Sequence, residues 1–346
     1  METSRKKNPS AKARTAPLDY AVLKPLLRPG ASCVLSTHYS PDGDAIGSEL
    51  ALALFLQQIA VVPHIFNQDP VPRIYRFLDP DNLARVYTDA DKPLVMDADL
   101  VIILDVSTWD RIGTPAAVMQ ASRAKRICID HHATNDGAGD VDLIDPTAAA
   151  AGMLVYDLIT SFGGKITPAI ANDLLVAIAT DTGWFRFSNT GPRVFEVMAD
   201  LCRKGASPAD IYNRVYEQLR WQRMRLLARG FTNFHEAAGG KIAWMALTRQ
   251  MFEESGADDE DVEGIVDLLR TVAGVEIVLL FREAPDGQIR ISLRSKCTAD
   301  VGRFAEQFGG GGHARAAGIR MAAPLPEAVD KVLRAAEKLA ESCRQC

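Results

Sequence analysis

Residues 32–59 read SCVLSTHYSPDGDAIGSELALALFLQQI and change their period halfway along. Ser32 to Ser36 has the look of a short buried strand, whereas Ala45 to Ile59 carries its apolar residues at helical spacing. Between them lies the polar turn Thr37-His38-Tyr39-Ser40-Pro41-Asp42-Gly43-Asp44. A strand, a charged turn and a helix make the opening unit of an α/β fold. The same unit recurs outward: short apolar strands are expected at Val61 to Phe66, Leu100 to Val106 and Arg126 to Ile129, and helices at Ala148 to Ser161 and Pro168 to Ala179. Alternation of this kind predicts a mostly parallel sheet whose ligand sites gather at the carboxyl ends of the strands.

Past Phe187 the character shifts. Pro192 to Arg203 reads as a helix, and Ser207-Pro208, a cap followed by proline at the first helical position, opens another that runs to Arg229. A second α/β pattern follows from Lys241, with a helix near Glu260 to Val272, strands at Val275 to Arg282 and Gln288 to Ser295, a glycine run at Gly309 to Gly312 and a final helix from Leu325. The expected organisation is therefore a basic, disordered tail (1–17), a parallel-sheet domain (18–190), a helical linker (191–235) and a smaller C-terminal α/β domain (236–342).

Composition narrows the function classes. The 346 residues are 47% hydrophobic and 24% charged, which suits two or three globular domains. A net charge of −5 excludes a uniformly basic nucleic-acid coat, yet residues 281–320 hold seven Arg/Lys against four Asp/Glu. That local excess suits a short anionic ligand better than a long polymer. No apolar run is long enough to span a bilayer, and no apolar core follows the basic N-terminus, so neither a membrane segment nor a secretory signal is expected. The six cysteines are scattered apart from Cys343 and Cys346, which points to reduced thiols and a cytoplasmic location.

Four acid-bearing sites share one placement, at or just beyond the end of an apolar segment. They are His38-x-x-x-Asp42-x-Asp44, Asp105 after Leu100 to Leu104, Asp130-His131-His132 after Arg126 to Ile129, and Asp181 after Leu174 to Ala179. A lone acid at such a place is ordinarily a cap or turn former. Four in one domain, two of them with histidines, would converge on one rim and repel one another unless cations lay between them. Imidazole and carboxylate without thiolate suit Mn²⁺ or Mg²⁺ better than structural zinc.

These motifs, with Gly47-Ser48 and Asp181-Thr182-Gly183, resemble those of the DHH phosphoesterase family. Gly309-Gly310-Gly311-Gly312-His313-Ala314-Arg315-Ala316-Ala317-Gly318 is similar to the signature of the DHH-associated C-terminal domain. The two-lobe form most resembles the branch of bifunctional oligoribonucleases and PAP phosphatases (nanoRNases). The resemblance implies two Mn²⁺ ions, with Mg²⁺ or Co²⁺ as substitutes, one held by His38, Asp42 and Asp105 and the other by Asp44, Asp105, His131 and Asp181. It further implies that Asp130 orients a ligating histidine and that His132 binds the scissile phosphate or protonates the leaving oxygen. Gly310, Gly311, Gly312 and His313, with Arg294 and Ser295, would hold the rest of the substrate. One departure is Ser40, where asparagine is frequent. The implied substrates are short RNA, linear dinucleotides such as pApA, and 3′-phosphoadenosine 5′-phosphate, and a homodimer is compatible with the reading. Rival readings are a RecJ-like single-strand 5′ exonuclease and a nucleotide-binding regulator without turnover.

The remaining polar and aromatic residues divide on simpler grounds. Arg186 and Asn189 are candidates for substrate contact. His64 and His235 read as structural or surface residues, and Trp109, Trp184, Trp221 and Trp244 as packing. Arg220, Arg223, Arg225 and Arg229 are expected to form a solvated helix face.

Overall fold

The computed structural model describes residues 18–135, 137–262, 264–296 and 298–342, without the side chains of His313 and Ser342. The basic tail, Cys297 and the Cys343/Cys346 pair lie outside the described residues. Two compact units meet in sequence between Gln218 and Leu219.

The first unit opens as its sequence suggests, with β1 (Ser32–Ser36) feeding α1 (Gly43–Gln58). It continues through β2 (Val62–Asn67), β3 (Ala84–Val86), α2 (Lys92–Met96), β4 (Leu100–Leu104), α3 (Ala116–Ala121), β5 (Lys125–Asp130) and β6 (Val141–Ile144). Four helices follow: α4 (Ala151–Ser161), α5 (Pro168–Asp181), α6 (Pro192–Arg203) and α7 (Pro208–Tyr216). All six strands are parallel, in the order β3-β2-β1-β4-β5-β6. Strands buried on both faces read as continuous apolar runs. Accordingly Leu35, Ile102 and Ile129 enter the core shared with α1, α4 and α5, while Val34, Val101 and Ile103 enter the opposite one. β3 and β6 have no counterpart in the sequence reading, because three or four half-exposed residues leave too little periodic signal.

Strand order reverses between β1 and β4, and in open α/β sheets that switch point is where ligands bind. α1 and α5 approach closely at Gly47. A Cβ on Gly47 would stand 2.3 Å from the carbonyl oxygen of Asp173, so only glycine lets the two helices meet.

The second unit comprises α8 (Trp221–Thr232), β7 (Phe234–Ala237), β8 (Ile242–Leu247), α9 (Arg249–Ser255), α10 (Ile265–Leu269), β9 (Ile277–Glu283), β10 (Ile289–Ser295), α11 (Val301–Glu306), β11 (Gly311–His313), β12 (Ala316–Met321) and α12 (Leu325–Ser342). Its sheet runs β11-β12-β10-β9-β8-β7, antiparallel except for the β8/β9 pair.

Four sequence expectations change here. The single helix read over Glu260 to Val272 is a 3₁₀ turn (Asp259–Val262) and the short α10, interrupted by Gly264 at φ 73°. The helix read from Pro208 to Arg229 is two, because the chain leaves helical geometry at Glu217 and resumes at Trp221. The arginines on its second half are not simply solvated: Arg220 pairs with Asp258 (2.6 Å) and Asp261 (3.3 Å), and Arg229 with Glu254 (2.9 Å). Trp221, expected to pack, is 77% exposed, whereas Trp244 stacks on His235.

Candidate metal centre

Three of the acid-bearing segments do end strands. β1 delivers His38 through Thr37, β4 ends directly before Asp105, and β5 ends at Asp130 before His131 and His132. The fourth differs: Asp181 is the last residue of helix α5, not a strand end. A carboxylate at the negative end of a helix dipole is unfavourable unless a cation faces it.

The side chains converge in two groups that share Asp105. In the first, His38 Nε2 lies 3.5 Å from Asp105 Oδ2 and 3.9 Å from Asp42 Oδ2. In the second, His131 Nε2 lies 3.4 Å from Asp105 Oδ1, 3.7 Å from Asp44 Oδ2 and 3.8 Å from Asp181 Oδ2. Donors held ~2.1 Å from one ion stand between ~3 Å apart when adjacent and ~4.2 Å apart when opposite, so the spacing fits atoms that share a cation. Both imidazoles are set for it as well. His38 Nδ1 donates to Tyr39 O (2.9 Å) and His131 Nδ1 to Ala148 O (3.3 Å), which leaves the lone pair of each ring on the Nε2 facing the carboxylates. Asp105 Oδ1 is buried without a hydrogen bond, an orphan that a cation would satisfy. The residues present fit a pair of divalent ions.

Each carboxylate is braced. Asp44 Oδ1 accepts Ser48 Oγ (3.0 Å) and the Gly152 amide (2.9 Å), and its Oδ2 accepts the Ala151 amide (2.6 Å), both amides belonging to the first turn of α4. Asp42 caps α1 by accepting the Asp44 and Ala45 amides. Asp105 adopts φ 53° as its N–H reaches Ile129 O, a left-handed turn that aspartate tolerates better than most residues. Ser40 also stands left-handed (φ 52°), a conformation asparagine accepts more readily.

Without cations the group is electrostatically frustrated. Burial, then the neighbouring Asp105 charge, pushes Asp44 well above the carboxylate range, and burial lifts Asp181 to about 7. For Asp105 burial also acts upward, but the contacts of His131 and His38 outweigh it and hold the carboxyl low. Burial would depress His38, yet Asp105 and Asp42 raise it to about 9.

Asp130 differs from its expected part. Its carboxylate accepts His132 Nδ1 (2.7 Å) and the backbone N–H of His131 (2.9 Å), so it orients His132 and not the ring of His131, which the Ala148 carbonyl holds. Asn135, which the sequence reading missed, fixes Asp130 in turn through Nδ2–Oδ2 (2.6 Å).

Residues Gly183 to Thr190 fold back over Asp181. Trp184 and Phe185 stand left-handed (φ 55° and 66°), held by Ala179 O and Thr182 Oγ1, and Trp184 packs edge-on against Tyr212 and Tyr216. Asn189 Nδ2 donates to Ala149 O and Asp181 O, so it braces the loop that was expected to meet substrate. Arg186 is exposed, its Nε on Gly183 O.

In the second unit the glycine run forms a hairpin. β11 pairs antiparallel with β12, with Gly311 opposite Gly318 and His313 opposite Ala316. A Cβ on Gly310 would meet Gly318 O at 2.2 Å and one on Gly312 would meet Ala316 O at 2.5 Å, whereas around Gly309 and Gly311 the space is open. Arg294 contacts Asp267 (3.5 Å). Ser295 is buried, and its hydroxyl serves Ala299 O (2.8 Å) and Ala314 O (3.2 Å), a bracing part instead of the expected substrate contact. Among the described residues no helix is long and apolar enough to cross a membrane.

A parallel sheet with histidines and aspartates converging at its switch point, in a chain that also carries a glycine-hairpin unit, has the composition of a metal-dependent hydrolase of phosphate esters. Residues 32–180 match the DHH family N-terminal domain and residues 239–342 the DHHA1 domain. The chain belongs to the DHH family of phosphoesterases. It is 34% identical over 308 residues to the bifunctional oligoribonuclease and PAP phosphatase NrnA of Thermus thermophilus, covering 87% of this chain and 88% of that one. To the protein of the same description from Bacillus subtilis it is 28% identical, over 82% and 88%. The crystal structure of an exopolyphosphatase-related protein from Bacteroides fragilis superposes with a TM-score of 0.88 at 26% identity, covering 93% of this chain and 97% of that one.

Proposed function

We propose that this chain is a cytoplasmic, Mn²⁺-dependent hydrolase of short phosphoesters: oligoribonucleotides of a few residues, linear dinucleotides such as pApA, and 3′-phosphoadenosine 5′-phosphate. The observation that carries the reading is the convergence of His38, Asp42 and Asp105 in one cation-fitting group and of Asp44, His131 and Asp181 in another, with Asp105 Oδ1 3.4 Å from His131 Nε2. The names of the Thermus and Bacillus relatives support the substrate class. In this reading His38, Asp42 and Asp105 hold one ion, and Asp44, Asp105, His131 and Asp181 the other. A bound pair supplies an activated water and charge stabilisation for the attacking and leaving oxygens at phosphorus. Mn²⁺ suits the donor set, and Mg²⁺ or Co²⁺ can substitute.

The chain's own groups do the rest. His132, its Nδ1 fixed on Asp130, turns Nε2 toward the scissile phosphate, to bind it or to protonate the leaving oxygen. The exposed backbone of Gly311, with Gly310, Gly312, His313 and Arg294, receives the remainder of the substrate, since residues without Cβ let phosphate oxygens approach main-chain N–H groups. Ser295 braces that loop from inside, and Arg186 offers an exposed guanidinium.

The test is a Mn²⁺ assay across 3′-phosphoadenosine 5′-phosphate, pApA, RNA of two to five residues and long single-stranded DNA. Turnover confined to the short substrates is expected. Preferential degradation of the long strand would favour the RecJ-like reading, and no turnover with bound metal would favour a regulator.

A further inference from the structure

We propose that the buried pair Asn67–Glu49 is a positioning device for the metal ligands, fixing Thr37 and through it the placement of His38 against Asp105. The inference rests on the metal reading above and adds residues to it that no motif contains.

Ladder pairing in β1 ends at Ser36, so the next two residues have no neighbouring strand to hold them. Side chains replace the ladder. Thr37 N–H donates to Asn67 Oδ1 (3.1 Å), Thr37 Oγ1 donates to Leu104 O (2.9 Å) and Ser36 Oγ donates to Phe66 O (2.7 Å). Leu104 directly precedes Asp105, and Thr37 directly precedes His38. Asn67, the last residue of β2 and 1% exposed, donates Nδ2 to Glu49 Oε1 at 2.6 Å. Glu49 is fully buried in α1, directly after Ser48 and five residues beyond Asp44. One unbroken run of hydrogen bonds therefore joins the helix that carries Asp44, the end of β2, the end of β1 that carries His38 and the end of β4 that carries Asp105.

Glu49 is a costly residue for packing alone. Its Oε2 is buried without a partner, an arrangement that counts against the fold, and a leucine in the same helix face would carry no such cost. What the carboxyl does that leucine cannot is hold the amide of Asn67 in one of its two flips, with Oδ1 turned to Thr37. Burial lifts this carboxyl to about 8, so near neutral pH it is an uncharged acid for which glutamine is the matching replacement.

The experiment titrates the metal-free full-length chain with MnCl₂ by calorimetry, alongside the thermal midpoint of each variant and kcat and KM for 3′-phosphoadenosine 5′-phosphate. Asn67→Ala, Thr37→Val and Glu49→Leu are expected to weaken Mn²⁺ binding by about tenfold, with kcat lowered at limiting Mn²⁺, restored by excess Mn²⁺, and KM unmoved. Glu49→Gln should bind Mn²⁺ as the parent does. A lowered thermal midpoint with parental Mn²⁺ affinity in Asn67→Ala would reduce the pair to a stabilising contact and overturn the inference, as would Glu49→Gln binding as weakly as Glu49→Leu. Should Asn67→Ala not fold, Glu49→Leu, which removes the acceptor of Asn67 Nδ2 and leaves Asn67 itself in place, decides by the same criterion. A parent chain that binds no Mn²⁺ would overturn the metal reading together with the inference, whereas a parent that binds beside unaffected variants overturns the inference alone.

Discussion

The rim of the parallel sheet and the glycine hairpin of the second unit were both marked by motifs, yet they are built in opposite ways. At the rim the chain brings charged side chains together and leaves one of them, Asp105, with a buried oxygen that nothing in the protein satisfies. At the hairpin β11 pairs with β12, the buried Ser295 hydroxyl is satisfied by Ala299 O and Ala314 O, and Gly310 and Gly312 are glycines because β12 leaves no room for a Cβ. Unsatisfied chemistry points outward, to a missing ligand. Satisfied chemistry points inward, to the fold. Gly309 faces open space but stands left-handed (φ 73°), so it too shapes the loop, and Gly311 is the position in the run that neither crowding nor backbone conformation reserves for glycine.

The contrast can be broken most forcibly at Asp105. Asp105→Ala should lower hydrolysis by at least ~10³-fold, the loss of about 4 kcal/mol of charge stabilisation, with the circular-dichroism spectrum of the parent. Next in size is His132→Ala, expected to cost ~10²-fold in kcat while calorimetric Mn²⁺ binding stays as in the parent, since its ring is held by Asp130 and stands outside both proposed ligand sets. The hairpin offers a paired test. Gly312→Ala should cost about 1–3 kcal/mol in urea unfolding because the new methyl meets β12. Gly311→Ala should stay within ~0.5 kcal/mol of the parent and instead raise KM.

The smallest effect concerns pH. The stability that His38 gains from Asp105 and Asp42 is fully present below its unfolded value of 6.5 and is lost as pH rises through about 9. Glu49 acts in the same direction: its contribution is complete below 4.5 and fades as pH rises through about 8. The metal-free chain should therefore unfold at lower urea concentration at pH 9 than at pH 6, and Glu49→Gln should flatten that slope.

Much of this was legible beforehand, for physical reasons. Continuous apolar runs such as Leu100 to Leu104 announce strands buried on both faces, and an acid ending such a run is conspicuous. Asp181 was placed just beyond a helix read over Pro168 to Ala179, and that helix runs two residues further, to end on Asp181 itself. Gly264 split an expected helix because a single left-handed residue outweighs the helical spacing around it. Asn189 was singled out, but for substrate contact and not for bracing, and Asn135 and Asn67 could not be found at all. Asn135 acts on Asp130 and Asn67 on Thr37 and Glu49 through single side-chain hydrogen bonds to each partner, a relation that leaves no period and no spacing in the sequence.

The central claim is that the two clusters are paired cation sites sharing one carboxylate. The direct measurement is the calorimetric stoichiometry of Mn²⁺ on the metal-free chain and on Asp105→Asn. Two ions per parent chain, with both affinities weakened together by the single substitution, is the predicted result. A parent chain that binds fewer than two ions, or an Asp105→Asn variant that keeps both at parental affinity, would contradict it.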